Sequence, residues 1–257
     1  MNLNILQKAK KTDLILEPFP HLIIENALPD DIYSKLDNLW PEAFLSSDHP
    51  TLTDEKGHTT RYLSNPVLLE KIVDPLWIDF FQYHISQDFY RYTVDILSAA
   101  IKEYYPDHAD TILNGNPSAR QSINQNIDNT VLVTDCQFVQ NKVLKNNETS
   151  RTAHLDNPQE IYAALFYMKK TDDHCIGRDL FIYECKDSRP PLGKKRVVDE
   201  QHIKFVKKCE YKANTAILFL NCRHGVHSVG TASNQTHVRR HINIIGEYGN
   251  GKNLFNL

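Results

Sequence analysis

Residues 154–168 read HLDNPQEIYAALFYM. Residues 161–168 form an apolar and aromatic run with the length of a buried strand, and the Asn157-Pro158 pair predicts a turn just before it. Alternate side chains of an extended chain project from one face, so His154 and Asp156 can reach one metal ion together. This stretch therefore predicts a β-rich fold with a candidate metal site at the start of a buried strand.

Other strand-like runs surround this one, and turn-forming residues separate them. They cover residues 130–139, 161–168, 180–183, 203–206, 215–220 and 238–245. Short strands at such intervals are typical of a β-sandwich or barrel.

The N-terminal half has a helical pattern instead. Apolar residues recur at helical intervals in residues 29–40. The pairs Asn65-Pro66 and Asp74-Pro75 each place a capping residue before a proline, which is a common way to begin a helix. The second pair predicts a long helical region that reaches residue 105, whereas the polar residues 51–61 predict a loop.

A third candidate metal ligand is His227, which follows Asp156 by 71 residues. Two imidazoles and one carboxylate hold non-haem Fe(II) on one face and leave positions open for substrate and O₂. His224 lies in the same short segment and is an alternative to His227, so the residues alone leave two candidates for the third ligand.

Six short motifs occur in a fixed order over residues 130–248. They are HLDNP (154–158), ALFYM (164–168), GRDLFIY (177–183), NTAILF (214–219), HSV (227–229) and RRHINI (239–244). With them the chain resembles the 2-oxoglutarate- and Fe(II)-dependent oxygenases, in particular the branch that contains the prolyl hydroxylases. A shorter similarity, PFPHLII at residues 18–24, matches the strand that often opens these domains. One departure is Arg178, which stands where the family often has a second glycine.

The resemblance implies a fold, a ligand set and a reaction. The fold class would be α+β with a mainly β core, a double-stranded β-helix (jelly roll, cupin-like) buttressed by N-terminal helices. His154, Asp156 and His227 would be the metal-binding and catalytic residues for Fe(II). With 2-oxoglutarate as cosubstrate and O₂, the enzyme would be a dioxygenase that hydroxylates an unactivated C–H bond and releases succinate and CO₂.

Arg239 is the expected anchor for the distal carboxylate of 2-oxoglutarate, because a guanidinium pairs with a carboxylate in a bidentate way and stays charged. Tyr167 matches a family position that donates a hydrogen bond to the same carboxylate. Asn243 shares a strand face with Arg239, so it is a candidate for the cosubstrate pocket. Arg240 points the opposite way, and we expect it to be a surface charge. Weaker candidates for substrate or cosubstrate contacts are Gln137 and Asn141.

Length and composition limit the remaining possibilities. The 257 residues suit one oxygenase domain, with residues 1–128 as an N-terminal strand and helical support and residues 129–250 as the catalytic core. The formal charge of -3 and the isoelectric point near 6.4 predict neither a nucleic-acid nor a membrane partner. Five cysteines without a close pair favour reduced thiols and a cytoplasmic location. The oligomeric state is left open.

Several alternatives also stay open. The basic loop at residues 186–201 is either a solvated connection or a lid that recognises an anionic group. The barrel could be a non-catalytic cupin-like module that binds a metal or ligand, and the helices of residues 30–105 could form a partner-binding surface. The substrate, a small molecule or a peptide, is not indicated by the residues.

Overall fold

The computed structural model describes residues 2–45, 52–53, 58–64, 73–120, 131–249 and 253–255. β-Strands are the principal regular structure after residue 131. The strands are β1 (His21–Glu25), β2 (Leu52–Thr53), β3 (Thr59–Tyr62), β4 (Ser118–Ala119), β5 (Leu132–Asn141), β6 (Glu160–Tyr167), β7 (Ile176–Gly177), β8 (Leu180–Cys185), β9 (Ile203–Cys209), β10 (Thr215–Leu220), β11 (His227–Val229), β12 (Ala232–Ser233) and β13 (Arg239–Tyr248).

These strands form two facing sheets. The larger sheet has the order β1-β10-β6-β13-β5-β3-β2, with β4 paired in parallel to β5. The smaller sheet has the order β11-β8-β9, and β12 pairs with β7 beside it. Phe219 of the larger sheet contacts His227 of the smaller one, with ring centroids 4.9 Å apart. The predicted fold class is confirmed, because this is a double-stranded β-helix with helices against one sheet.

Strand β13 shows how the sequence sorts side chains between the two faces of the larger sheet. Alternate residues of a strand point to opposite faces. Arg239, Asn243 and Glu247 line the cavity between the sheets, whereas Ile242 and Ile244 are fully buried on the other face. The strand has no exposed residue, which explains its nearly continuous apolar character.

The outer face of the larger sheet is covered by helices. They are α1 (Asp30–Asn38), α2 (Glu42–Leu45), α3 (Pro75–His84), α4 (Gln87–Ile96), α5 (Ser98–Tyr104) and α6 (Ala109–Asn114). Trp77 of α3 packs edge-on against Phe138 of β5, with ring centroids 4.8 Å apart, and Phe80 stacks on Phe166 of β6 at 6.1 Å. Aromatic pairs of this kind bury large apolar areas and fix the helices on the sheet.

The predicted helix starts agree with the structure where it describes them. Asp74 caps α3, since its side chain accepts a hydrogen bond from the backbone N of Leu76 at 2.8 Å, and Pro75 is the first helical residue. The predicted long helical region is divided into α3, α4 and α5 by short breaks at Ile85-Ser86 and at Leu97. The Asn65-Pro66 pair lies outside the described residues.

The predicted loop at residues 51–61 differs from the structure. β2 and β3 lie in this segment and extend the larger sheet beyond β5. Their polar residues obscured the strand pattern, because these strands lie at a sheet edge where one face is not fully buried. Within the described part of the chain, none of the helices is long and apolar enough to cross a membrane.

Candidate metal centre

His154 and His227 lie side by side between the two sheets. The two residues form an antiparallel bridge, in which each backbone N donates to the carbonyl O of the other at 3.0 and 3.1 Å. Their ring centroids are 4.4 Å apart. His154 was expected to lie in a strand, but it occupies only an isolated bridge, because the turn at Asn157-Pro158 ends the extended segment.

Asp156 completes a three-residue group. One carboxylate oxygen lies 3.4 Å from Nε2 of His154, and the other lies 3.4 Å from Nε2 of His227. The potential ligand atoms all lie within 4.8 Å of one another. Two ligands at right angles and roughly 2.1 Å from an ion are about 3.0 Å apart. The group therefore needs only a small contraction to bind one cation.

Hydrogen bonds fix the orientation of both imidazoles. Nδ1 of His154 lies 2.7 Å from the carbonyl O of Thr152, and Nδ1 of His227 lies 2.9 Å from that of Gly225. A carbonyl can only accept, so each Nδ1 carries the proton and each Nε2 keeps its lone pair for a metal. The local chain fold thus prepares both rings as ligands.

The titration behaviour fits the same role. Burial, followed by the charges of His227 and Arg151, lowers the pKa of His154 to about 3. Burial opposes the ionisation of Asp156, but the neighbouring histidines and Arg151 outweigh it, and the pKa of this carboxyl is lowered. A neutral imidazole and an ionised carboxylate are the forms that bind metal ions.

His224 does not join this group. Its Nε2 lies 3.2 Å from the carbonyl O of Ser188, and its ring faces Tyr104 at 6.4 Å. Of the two histidines that the sequence left as alternatives, the structure brings His227 to His154 and Asp156.

Arg239 lies in the same cavity, which has a volume of about 400 Å³ and is also lined by the three candidate ligands. Its side chain is buried, with Nε donating to the carbonyl O of Arg178 at 3.1 Å and Nη1 donating to Oδ1 of Asn141 at 3.1 Å. Among the described residues, Nη2 has no hydrogen-bond partner and no carboxylate pairs with this guanidinium. A buried cation without a counter-ion is costly, so this end of the cavity is suited to an anion.

Tyr167 packs against the Arg239 guanidinium, whereas Asn243 lines the cavity. The guanidinium of Arg239 stands over the Tyr167 ring at 4.8 Å, and the buried Tyr167 hydroxyl has no hydrogen-bond partner in the described ranges. Tyr167 is not among the residues that line the cavity, whereas Asn243 is. Asn243 Nδ2 donates to Oε1 of Gln137 at 3.4 Å, which leaves its Oδ1 without a partner.

The expectation that Arg240 is a surface charge is wrong. The residue does point away from the cavity, but α1 covers that face and the side chain is only 2% exposed. Arg240 forms an ion pair with Asp37, donates to the carbonyl O of Met168 at 3.0 Å and lies over the Trp40 ring. Its role is to hold α1 on the sheet.

Arg178, the departure from the family pattern, is also buried. Gly177 and Arg178 both have positive φ angles, 92° and 64°, and such a conformation is costly for arginine. Its Nη2 donates to the carbonyl O of Lys142 at 2.6 Å and to Oε1 of Gln235 at 2.9 Å. Burial, followed by the charge of Arg239, lowers the pKa of Arg178 to about 10. The two guanidiniums together make this region strongly positive.

A polar cluster that lines or borders the cavity was only partly predicted, since Gln137 was a candidate but Arg120, Asp135 and Glu247 were not. Arg120 forms ion pairs with Asp135 and Glu247, and Gln137 donates to Asp135 at 2.8 Å. The available signal was strand parity, since Asp135 is two residues from Gln137, and Glu247 is an even number of residues from Asn243. Each pair therefore shares one strand face.

Comparison with known proteins shows similarity of fold. No protein-family model matches the sequence, and no curated protein matches it. A putative oxygenase from Shewanella oneidensis has a TM-score of 0.52 at 12% identity, covering 92% of this chain and 84% of that one. A prolyl hydroxylase from Trichoplax adhaerens in complex with a hypoxia inducible factor peptide fragment has a TM-score of 0.47 at 13% identity, covering 89% and 83%. The epimerase SnoN, in complex with Fe3+, alpha ketoglutarate and nogalamycin RO, has 0.48 at 10%, covering 90% and 82%. At 12% identity, the similarity to the Shewanella oneidensis structure shows a shared fold and nothing further.

Proposed function

We propose that the chain is an Fe(II)- and 2-oxoglutarate-dependent dioxygenase that hydroxylates an unactivated C–H bond of a small molecule or peptide. The observation that carries this proposal is Arg239, a buried cation without a carboxylate partner in the described residues, in the cavity that contains the candidate ligands. His154, Asp156 and His227 are the donor set that suits Fe(II). A metal-binding module alone has no need of a buried anion site beside its ligands.

The path from the candidate ligand His227 to Arg239 supports a chelating diacid as cosubstrate. Arg239 donates to the carbonyl of Arg178, and Arg178 N donates to the carbonyl O of Thr231, four residues after His227. β11 covers only His227–Val229, and four residues of extended backbone span at most about 13 to 14 Å. A five-carbon diacid that binds the metal through one end extends over much of that distance toward the guanidinium.

The protein's own groups then have distinct tasks. His154 and His227 hold the metal as neutral donors, and Asp156 supplies the anionic ligand. Arg239 orients the cosubstrate, with Asn243 in the lining, whereas Tyr167 lies outside the lining and supports the Arg239 guanidinium with its ring. Phe219, whose ring contacts His227, gives the cavity an apolar wall that excludes water.

The overall reaction balances with these components. Bound Fe(II) would activate O₂ and couple the oxidation of 2-oxoglutarate to that of the substrate. One R–H, one O₂ and one 2-oxoglutarate give R–OH, succinate and CO₂, with one oxygen atom in the alcohol and the other in succinate.

Succinate release tests this proposal. With Fe(II), O₂ and 2-oxoglutarate, we expect slow succinate formation by the wild-type protein even without its substrate, and none by Asp156→Ala. His224→Ala is the matched control, because His224 lies near the ligands in sequence but outside the group, and it should retain succinate formation. Wild-type protein that binds a metal but never consumes 2-oxoglutarate would instead be a non-catalytic cupin-like module.

A further inference from the structure

A second cavity, of about 370 Å³, adjoins the cavity that contains the candidate ligands. The residues that line both cavities define what we call the mouth of the site. They are Thr59, Arg61, Ser150, Arg151, His154 and Arg196. Because His154 belongs to this set, the mouth opens directly beside a candidate metal ligand, and half of its residues are arginines.

Arg196 is held in place by the segment that carries the ligands. Its Nε donates to the carbonyl O of Leu155 at 3.2 Å, and its carbonyl O accepts from Leu155 N at 3.1 Å. Val197 forms a bridge with His154. Arg196 itself has a φ of 60°, a conformation that a non-glycine residue keeps only when its surroundings fix it. This part of the basic loop is therefore a fixed wall of the mouth.

The terminal nitrogens of Arg196 remain available. Apart from the Nε contact, its guanidinium makes no hydrogen bond or ion pair with any residue that the structure describes. Among the described residues, Arg151 has one carboxylate within ion-pair distance, Asp156 at 3.7 Å, and that group is a candidate metal ligand. The carboxyl of Glu160 also interacts electrostatically with Arg151 and Arg196. Ser150 adds a buried hydroxyl that has no hydrogen-bond partner within the described part of the chain. Three polar side chains at the mouth thus have capacity to bind a further group.

The charge balance favours an anion. Among the residues that the structure describes, five arginines and three carboxylates line the cavity with the candidate ligands, and a fourth carboxylate, Asp135, pairs with Arg120. The whole chain, by contrast, has a formal charge of -3. A divalent cation and the dianionic 2-oxoglutarate would cancel each other, so the positive excess would remain when both are bound. Such a local field attracts anions and orients them.

We infer that the substrate carries an anionic group, a carboxylate or a phosphate, which Arg196 and Arg151 bind at the mouth of the site. This inference rests on the proposed function, because it assumes that the metal and 2-oxoglutarate occupy the inner part of the cavity. Anchored in this way, the substrate presents a C–H bond near its charged group to the metal. Guanidinium groups suit this task, since they bind both kinds of anion in a bidentate way.

The test uses the full chain with Mn(II) in place of Fe(II) and saturating 2-oxoglutarate. Inorganic phosphate and acetate are the probes, and the broadening of their ³¹P and ¹³C resonances by Mn(II) reports both binding and proximity to the metal. We expect saturable broadening by at least one probe, and the tighter one identifies the anion class. Arg196→Gln and Arg151→Gln should each raise its dissociation constant about tenfold, which corresponds to about 1.4 kcal/mol.

Arg189→Gln is the matched control. Arg189 lies in the same loop, is exposed and lines neither cavity, so this variant should bind the probe as the wild type does. A second variant, Arg196→Lys, keeps the charge and should lose less affinity than Arg196→Gln. The melting temperature and the binding of 2-oxoglutarate to each variant show that its fold and inner site are intact.

Three results would overturn the inference. If 2-oxoglutarate binds but neither probe shows saturable broadening, or if Arg196→Gln and Arg151→Gln both bind the probes as the wild type does, the anion site is wrong and the proposed function stands. If Mn(II) and 2-oxoglutarate do not bind the wild-type protein, the proposed function fails and the inference fails with it.

Discussion

Replacing Arg239 with methionine removes the one buried cation that the proposed function assigns to 2-oxoglutarate. Nη2 has no hydrogen-bond partner among the residues that the structure describes, and Nη1 already contacts Asn141 and His241. The distal carboxylate of 2-oxoglutarate would thus accept one hydrogen bond from Nη2 and share a second one from Nη1 with these residues. Together the two charge-assisted hydrogen bonds are worth about 2 to 3 kcal/mol. The dissociation constant for 2-oxoglutarate should rise roughly 10²-fold in Arg239→Met, while metal binding stays near normal.

Ligand-induced stabilisation measures this effect without a substrate. At a 2-oxoglutarate concentration of 100 times the wild-type dissociation constant, the wild-type protein should gain about 2.7 kcal/mol of unfolding free energy. The same concentration should stabilise Arg239→Met by only about 0.4 kcal/mol. Arg91→Met, on the exposed surface of α4, is the control and should respond as the wild type does. Equal stabilisation of Arg239→Met and the wild type would refute the assignment of Arg239.

Three further predictions concern other parts of the molecule. His227→Ala should weaken Fe(II) binding by about 10²-fold or more whereas His224→Ala leaves it unchanged, as measured by metal titration; the reverse order would transfer the ligand role to His224. Arg240→Met should lower the free energy of unfolding in urea by about 3 kcal/mol, because it leaves Asp37 without its buried partner; a loss below about 0.5 kcal/mol would contradict this role. Burial lowers the pKa of His84 to about 3, against 6.5 when unfolded, so its neutral form favours folding above pH 6.5 and this contribution is lost as the pH falls toward 3. Between pH 6.5 and 3, the free energy of unfolding of the wild type should therefore fall by up to about 1.4 kcal/mol per pH unit more than that of His84→Phe. If the two proteins lose stability in parallel over this range, His84 does not titrate in this way.

The sequence predicted the elements that are buried on both faces. β6, β10 and β13 were visible as apolar runs because nearly every residue of these strands lies against the core. β3 was missed because a short, partly exposed strand with polar residues has no such pattern, and β11 was too short, at three residues, to show one. Burial selects apolar residues and so explains these three strands, but not β9, which was also predicted although most of its residues are exposed.

The candidate site was predictable in its residue types but not in its surroundings. His154, Asp156 and Arg239 stand in patterns that suit their chemistry, whereas the choice between His224 and His227 needed the backbone bridge to His154. Arg240 shows the limit of strand parity, which predicts the opposite face but not whether a helix covers it. The basic residues of the mouth were equally hidden, because the contact between Arg196 and Leu155 joins segments 41 residues apart.

The binding of Fe(II) and 2-oxoglutarate without O₂ tests the central claim most directly. Under anaerobic conditions, the chelation of Fe(II) by the 1-carboxylate and 2-oxo groups of 2-oxoglutarate gives a weak visible charge-transfer band. We expect this band in the wild-type protein at one equivalent of each component, and its absence in Asp156→Ala. A wild-type protein that binds Fe(II) but develops no band with saturating 2-oxoglutarate would contradict the account.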